Sequence, residues 1–202
     1  MSDSGPLAAM REALLLRRLR ARDERAFEEV VVLYRDRVFG LIVRMVGNRE
    51  EAEDLAQEVF ITVLKSIDTF RGDSKFSTWL YRIAANHTKN RMKYLHRRAY
   101  KATGEYDEST EHAMQRGESP GSTRATTPEA AMSGKQIDRV VQAAIAELDE
   151  DHRELVVLRD MEELSYEEIV EITGLNEGTV KSRLHRARTA LKDLVAKRMG
   201  EG

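Results

Sequence analysis

Apolar residues recur three and four positions apart along most of this chain, the mark of helices that bury one face. Phe27, Val30, Val31, Tyr34, Val38, Leu41 and Met45 keep that spacing. Gly47 and Asn48 interrupt it, and Asn48 with Glu51 opens a second helix through Ala52, Leu55, Ala56, Val59, Phe60, Val63 and Ile67. The far side of this helix holds Asp54, Gln57, Glu58 and Ile61. An isoleucine among acids is either an accident of the surface or the centre of a protein contact, and spacing alone does not choose. A polar turn, TFRGDSKF at residues 69–76, leads to a helix from about Ser77. There Trp79, Leu80, Ile83 and Tyr94 share an inward side, while Arg82, Asn86, Lys89, Lys93 and His96 form a ladder.

The helical pattern breaks over residues 102–134, which contain four of the twelve glycines and two of the three prolines among Ser, Thr and Glu. Such a composition buries too little apolar surface to fold alone and reads as a linker. Beyond it, Ile137, Val140, Val141, Ala144, Ile145 and Leu148 make an amphipathic helix, and Asp149 caps a segment with Leu155, Val156 and Leu158. The stretch LSYEEIVEITGLNEGTVKSRLHRARTAL, residues 164–191, then reads as two short helices around a glycine turn. Ser165 and Glu168 make a capping box, Gly174 ends the first helix and Asn176 caps the second. On that second helix Val180, Leu184, Ala187, Leu191 and Leu194 form one stripe, and Lys181, Ser182, His185, Arg186, Thr189 and Lys192 lie opposite. The predicted fold is therefore all-α: two small helical domains, residues 7–101 and 135–199, joined by a flexible linker at 102–134. The second contains a helix-turn-helix.

Composition narrows the function. There is no cysteine, so disulfides, thiolate catalysis and cysteine-based metal sites are excluded. The five histidines are scattered, with no HExxH pair, no glycine-rich phosphate loop and no nucleophile–base pairing. No catalytic residue, metal or cofactor is expected. No apolar run is long enough to cross a membrane and no signal peptide is evident, so a cytoplasmic protein without membrane insertion is expected.

The net charge of −2 hides strong segregation. Arg71 to Lys101 carries nine Lys/Arg against one acid, Asp73, whereas Glu147 to Glu171 carries eleven acids against Arg153 and Arg159. From Thr179 to Met199 the single acid is Asp193. Segregated blocks suit a chain that touches nucleic acid with some surfaces and protein with others. Phe70, Phe76, Trp79, Tyr81, Tyr94 and Tyr100, half of all the aromatics, fall within the first basic segment or directly before it. Rings beside cations suit an unpaired strand, which stacks its bases and neutralises its phosphates there. Trp79 is read as core, since it lies over Ile83, and Phe70 and Tyr81 as accessible.

On these residues the chain resembles, over nearly its whole length, the extracytoplasmic-function sigma factors of the sigma-70 family, in particular the sigma-E-like members. The matching stretches are DLAQEVFITVLKSIDTFRGDSKFSTWLYRIAANHTKN, the TPE at Thr127–Glu129, and LSYEEIVEITGLNEGTVKSRLHRAR. The resemblance implies an initiation factor that binds core RNA polymerase and directs it to −35/−10 promoters, melting the −10 element. It assigns Asp54, Gln57, Glu58 and Ile61 to the polymerase clamp. It assigns Phe70, Asp73, Ser74, Lys75, Tyr81, Asn86, Lys89, Asn90 and Lys93 to the single-stranded −10 element. Thr179, Lys181, Ser182, Arg183, His185 and Arg186 fall to the duplex −35 element. An anti-sigma factor is a common partner in the family, and association with the nucleoid in the holoenzyme is implied. His87 and His185 depart from the usual residues, small polar at the first and larger apolar or aromatic at the second.

A flexible 33-residue linker spans about 30 Å on average and about 110 Å at full stretch. The two promoter elements lie about 70 Å apart, two helical turns. The free chain is thus expected to bind promoters poorly, with polymerase holding the domains apart. The competing reading, a dimeric regulator at an operator, needs a dimer interface or ligand pocket. The first domain instead offers an acidic helix and a basic, aromatic loop.

Overall fold

The structure, a computed structural model, describes residues 6–103 and 128–200. The described residues form helices joined by short turns. The first unit comprises α1 (Pro6–Arg20), α2 (Glu24–Val46), α3 (Arg49–Ser66), a 3₁₀ turn (Ile67–Thr69) and α4 (Phe76–Thr103). The second comprises α5 (Pro128–Glu147), α6 (Glu150–Val156), a π-helical turn (Val157–Met161), α7 (Tyr166–Thr173) and α8 (Glu177–Gly200).

Local signals explain the boundaries. Asp23, Asn48 and Asp149 accept backbone N–H groups at the starts of α2, α3 and α6. Gly47, at φ +76°, ends α2, a conformation that a side chain would strain. The expected capping box is formed in full: Ser165 accepts from the Glu168 N–H while the Glu168 carboxylate accepts from that of Ser165. Gly174, at φ +71°, and Asn176, accepting from the Thr179 N–H, set the turn between α7 and α8.

Val30, Val38, Leu41, Ile42 and Met45 of α2 meet Ala52, Leu55, Val59, Phe60 and Val63 of α3, with Leu80, Ala84 and Ala85 of α4 completing the first core. Helix α1, which periodicity did not single out, adds Leu15 and Leu19. The second unit packs Ala144, Ile145, Leu148, Leu155, Leu158, Ile169 and Ile172 under Val180, Leu184 and Ala187 of α8.

Two expectations change. Helix α4 runs to Thr103 and helix α5 begins at Pro128, so residues 102–103 and 128–134, read as linker, are helical; the rest of that linker lies outside the described residues. Tyr94 and Ile137, read as inward, are half exposed. Tyr94 lies nine residues before the end of α4 and Ile137 midway along α5, and each keeps about half of its surface in solvent.

Candidate polymerase and nucleic-acid interfaces

On α3, Asp54, Gln57, Glu58 and Ile61 all reach solvent, Ile61 with half its surface exposed. Beside them runs a shallow groove of about 220 Å³ lined by Leu55, Glu58, His87, Asn90, Arg91 and Tyr94. His87 ties this face to α4: its Nε2 lies 3.0 Å from Thr62 Oγ1 and its Nδ1 3.7 Å from a Glu58 carboxylate oxygen. Arg91 bonds Glu51 at 2.6 Å across the same two helices.

The loop before α4 is pinned from below. Phe70 is buried against Phe76 and Trp79, ring centroids 5.7 and 5.5 Å away, and its carbonyl accepts from Arg20 of α1 at 2.5 Å. Arg71, Gly72 and Asp73 form the exposed tip, where Gly72 takes φ +85°. Trp79 is core, as read. Phe70 and Tyr81 are not accessible as expected: Phe70 is 5% exposed and Tyr81 0%. Phe70 completes an aromatic cluster that an outward ring would leave open. Tyr81 lies beneath the Arg37 guanidinium, which sits 5.8 Å from its ring centre, in the field of Glu162 and Glu168 of the second unit. Burial pushes its phenol up to about 12, and its hydroxyl finds no hydrogen-bond partner among the described residues.

Along α4, Asn86, Asn90 and Lys93 are exposed. Lys75 and Lys89, from the same predicted set, face the second unit instead. Lys75 Nζ lies 2.9 Å from Glu168 and Lys89 Nζ 2.7 Å from Glu154. Arg82 stands 4.0 Å from Glu171, and His96 Nδ1 3.4 Å from Glu150. Lys75, Arg82, Lys89 and His96 follow one another at sevens, two helical turns or about 10 Å apart. Each meets one glutamate of the second unit.

Behind this row the seam includes charges that sequence reasoning did not single out. Glu162 is buried between Arg44, at 3.2 Å, and Arg37, at 3.6 Å. Arg153, also buried, donates to the carbonyls of Met45 at 2.8 Å, Ala146 at 2.6 Å and Leu148 at 2.8 Å. These carbonyls lie at or just past the ends of α2 and α5, where the helix dipoles favour a cation. Burial lowers the Arg153 pKa, and nearby Glu150 and Asp149 oppose it. Burial raises both the Glu154 and the Glu162 carboxyl, with Lys89 opposing at the first and Arg44 and Arg37 at the second. Glu168 goes the other way: burial pushes it up, but the Ser165 N–H and Lys75 together hold it below the ordinary carboxylate range. The charge blocks were visible in the sequence; that they face one another was not.

On α8, Lys181, Ser182, His185 and Arg186 are exposed, and Thr179 and Arg183 are partly so. Nearby carboxylates hold several of the cations on this helix. Arg183 bonds Asp151 at 2.6 Å, Arg188 pairs with Asp160, and Lys181 pairs with Glu177 while standing 5.4 Å above the Tyr166 ring. Arg186 reaches the Ser182 carbonyl of its own helix at 3.4 Å and makes no ion pair among the described residues.

Among the described residues no group of His, Asp or Glu is placed to hold a metal, and no helix is long and apolar enough to cross a membrane. Residues 30–99 match Sigma-70 region 2, and residues 138–191 match Sigma-70, region 4. The RNA polymerase sigma-H factor of Pseudomonas aeruginosa is 42% identical over 181 residues, 88% of this chain and 90% of that protein. The ECF RNA polymerase sigma factor SigW of Bacillus subtilis is 38% identical over 180 residues, covering 88% and 92%. The solved structure of the sigma factor RpoE from Bartonella quintana, in complex with the anti-sigma factor NepR, shares the fold. Its TM-score is 0.66 at 24% identity, over 84% of this chain and 96% of that one. With both regions in order and relatives of this identity along most of its length, the chain belongs to the extracytoplasmic-function class of the sigma-70 family, initiation factors that direct RNA polymerase to promoters and catalyse no reaction themselves.

Proposed function

We propose that the chain divides promoter recognition among three faces. Asp54, Gln57, Glu58 and Ile61 dock on core polymerase. The loop tip at Asp73, Ser74 and Lys75, with Asn86, Lys89, Asn90 and Lys93, captures the opened −10 strand. Thr179, Lys181, Ser182, Arg183, His185 and Arg186 meet the −35 duplex. The observation that carries this reading is the exposed Ile61 set among Asp54, Gln57 and Glu58, on a helix whose other side is core. Apolar surface ringed by charge is what a regulated protein contact requires. Phe70 supports the loop from beneath.

An anti-sigma factor is a further partner in this reading; the Bartonella sigma factor of like fold is bound to one. The protein acts in the cytoplasm, with the nucleoid when it is part of the holoenzyme. The test is run-off transcription with purified core polymerase on promoter fragments, wild type beside Glu58→Arg. Wild type initiates at a defined −35/−10 sequence. Glu58→Arg loses co-elution with polymerase while its helicity stays intact. Unchanged affinity in that variant returns the α3 face to ordinary surface.

A further inference from the structure

Helix α1 carries none of the three faces assigned above, yet its C-terminal corner reaches the root of the −10 loop. It closes in a Schellman turn: the Asp23 N–H donates to the Arg18 carbonyl at 3.1 Å and the Arg22 N–H to that of Leu19 at 3.0 Å. That turn places Arg22 in the left-handed region, at φ +61°. Glycine takes such a position without strain, whereas a side chain there crowds its own backbone. The Arg22 side chain bridges two other elements. Its guanidinium donates to the Leu64 carbonyl in the last turn of α3 and, at 2.6 Å, to the Asp68 carboxylate in the 3₁₀ turn. Arg20 donates to the Phe70 carbonyl, one step further along. On an unbroken helix, residues two apart point about 200° away from each other. The left-handed corner turns the chain so that both arginines meet one segment, Leu64 to Phe70.

The geometry points to Arg20 and Arg22 as positioning residues that fix the near root of the −10 loop, so that its tip stands ready for an unstacked base. Both act through the loop and not on the DNA. This inference rests on the −10 assignment above and extends it to a helix that the assignment does not use.

The loop is an arch between two fixed points. Its far root is Phe76, buried beside Trp79 where α4 begins. Between the roots, Arg71–Ser74 make no backbone–backbone hydrogen bond among the described residues, and Gly72 adds a free bend at φ +85°. The place of such a tip is set by its ends. Packing of the Phe70 ring fixes a side chain, but the direction in which the chain leaves Phe70 depends on its peptide plane, which Arg20 holds by the carbonyl. Arg22 sets the spacing between the end of α3 and the 3₁₀ turn in the same way. A loop ordered before the strand arrives loses less entropy on capture, which strengthens binding and sharpens the choice between bases. A cation at the last carbonyls of α3 also suits the helix dipole, and a role confined to that would stabilise the fold without touching promoter opening.

The test uses holoenzyme assembled from the full chain and core polymerase, on promoters carrying 2-aminopurine in the −10 element. Arg22→Gly removes both bonds and at once relieves the left-handed backbone, so its unfolding midpoint should stay close to that of wild type. Promoter opening, read from 2-aminopurine fluorescence, should nevertheless fall about fivefold, and on the order of tenfold when Arg20→Met is added. Preference among bases at the captured position should flatten, while affinity for core polymerase and for a −35 duplex stays at the wild-type level. Arg20→Lys, which can still donate to the Phe70 carbonyl, should recover most of what Arg20→Met loses. Wild-type opening and base preference in the double variant overturn the proposal. So does an equal loss of opening and of polymerase binding, the result of a general loosening of the fold. The −10 assignment is read separately from Asp73→Ala with Ser74→Ala: if that tip variant leaves base preference untouched, the assignment falls and the proposal with it.

Discussion

Arg183 and Arg186 sit three residues apart on the outward side of α8, but the structure separates their roles. Arg183 is held by Asp151 at 2.6 Å on the flank facing α6. Arg186 projects from the exposed side with nothing closer than its own helix's Ser182 carbonyl, at 3.4 Å, among the described residues. A bidentate arginine–guanine contact discriminates by about 1–3 kcal/mol, roughly 5- to 150-fold. Arg186→Ala should therefore lose that much on the preferred −35 sequence and little on sequences changed at the base it reads. To touch DNA, Arg183 must first leave Asp151. An exposed pair of that kind is worth about 0.2–1 kcal/mol, so its net contribution is smaller by that amount. Its flank position favours phosphate over base edge. Arg183→Ala should weaken all −35 sequences alike and lower the slope of log affinity against log salt by about one. The assay is holoenzyme binding to promoters carrying every single-base change across the −35 element, at several salt concentrations. A uniform loss in Arg186→Ala alongside altered base preference in Arg183→Ala would refute the assignment.

Two further outcomes concern the seam. Arg153→Ala leaves the Met45, Ala146 and Leu148 carbonyls without their shared donor; each buried acceptor so orphaned costs about 1–3 kcal/mol, less what water recovers, giving about 3 kcal/mol in urea unfolding. A loss well under 1 kcal/mol would show that the guanidinium is not holding the two units together. Glu154 faces Lys89 from α4 and Asp151 and Glu150 from its own helix, and burial raises its pKa above the ordinary 4.5. The folded state then binds this proton more tightly than the unfolded one. Its stabilising contribution is complete below pH 4.5 and is lost as pH rises through the raised value. Wild type should accordingly gain stability relative to Glu154→Gln as pH falls from 7 toward 4.5, read from urea midpoints; a gap that stays constant contradicts the assigned cause.

Much of this molecule was legible in one dimension. Helix caps and the glycine turn are local: Asn48, Asp149, Ser165–Glu168, Gly174 and Asn176 act on backbone groups within three or four residues, so their pattern predicts their geometry. The apolar stripe of α8 and the exposure of Ile61 follow likewise from helical periodicity. Outward direction could be read because a helix repeats every 3.6 residues whatever lies around it.

Partnership could not be read this way. Phe70 and Tyr81 have the composition of a stacking platform, yet one closes an aromatic cluster and the other lies buried beneath Arg37 of α2. Lys75 and Lys89 look like free cations in the sequence and stand within 3 Å of carboxylates 93 and 65 positions away. Arg153 has no complementary motif at all, because its acceptors are backbone carbonyls that any sequence could supply. Local hydrogen bonds and periodicity are properties of neighbouring residues, so the sequence by itself determined most of the helices, their caps and most of their outward faces. Which charges meet depends on how two helical units come together, and only the tertiary structure decided that.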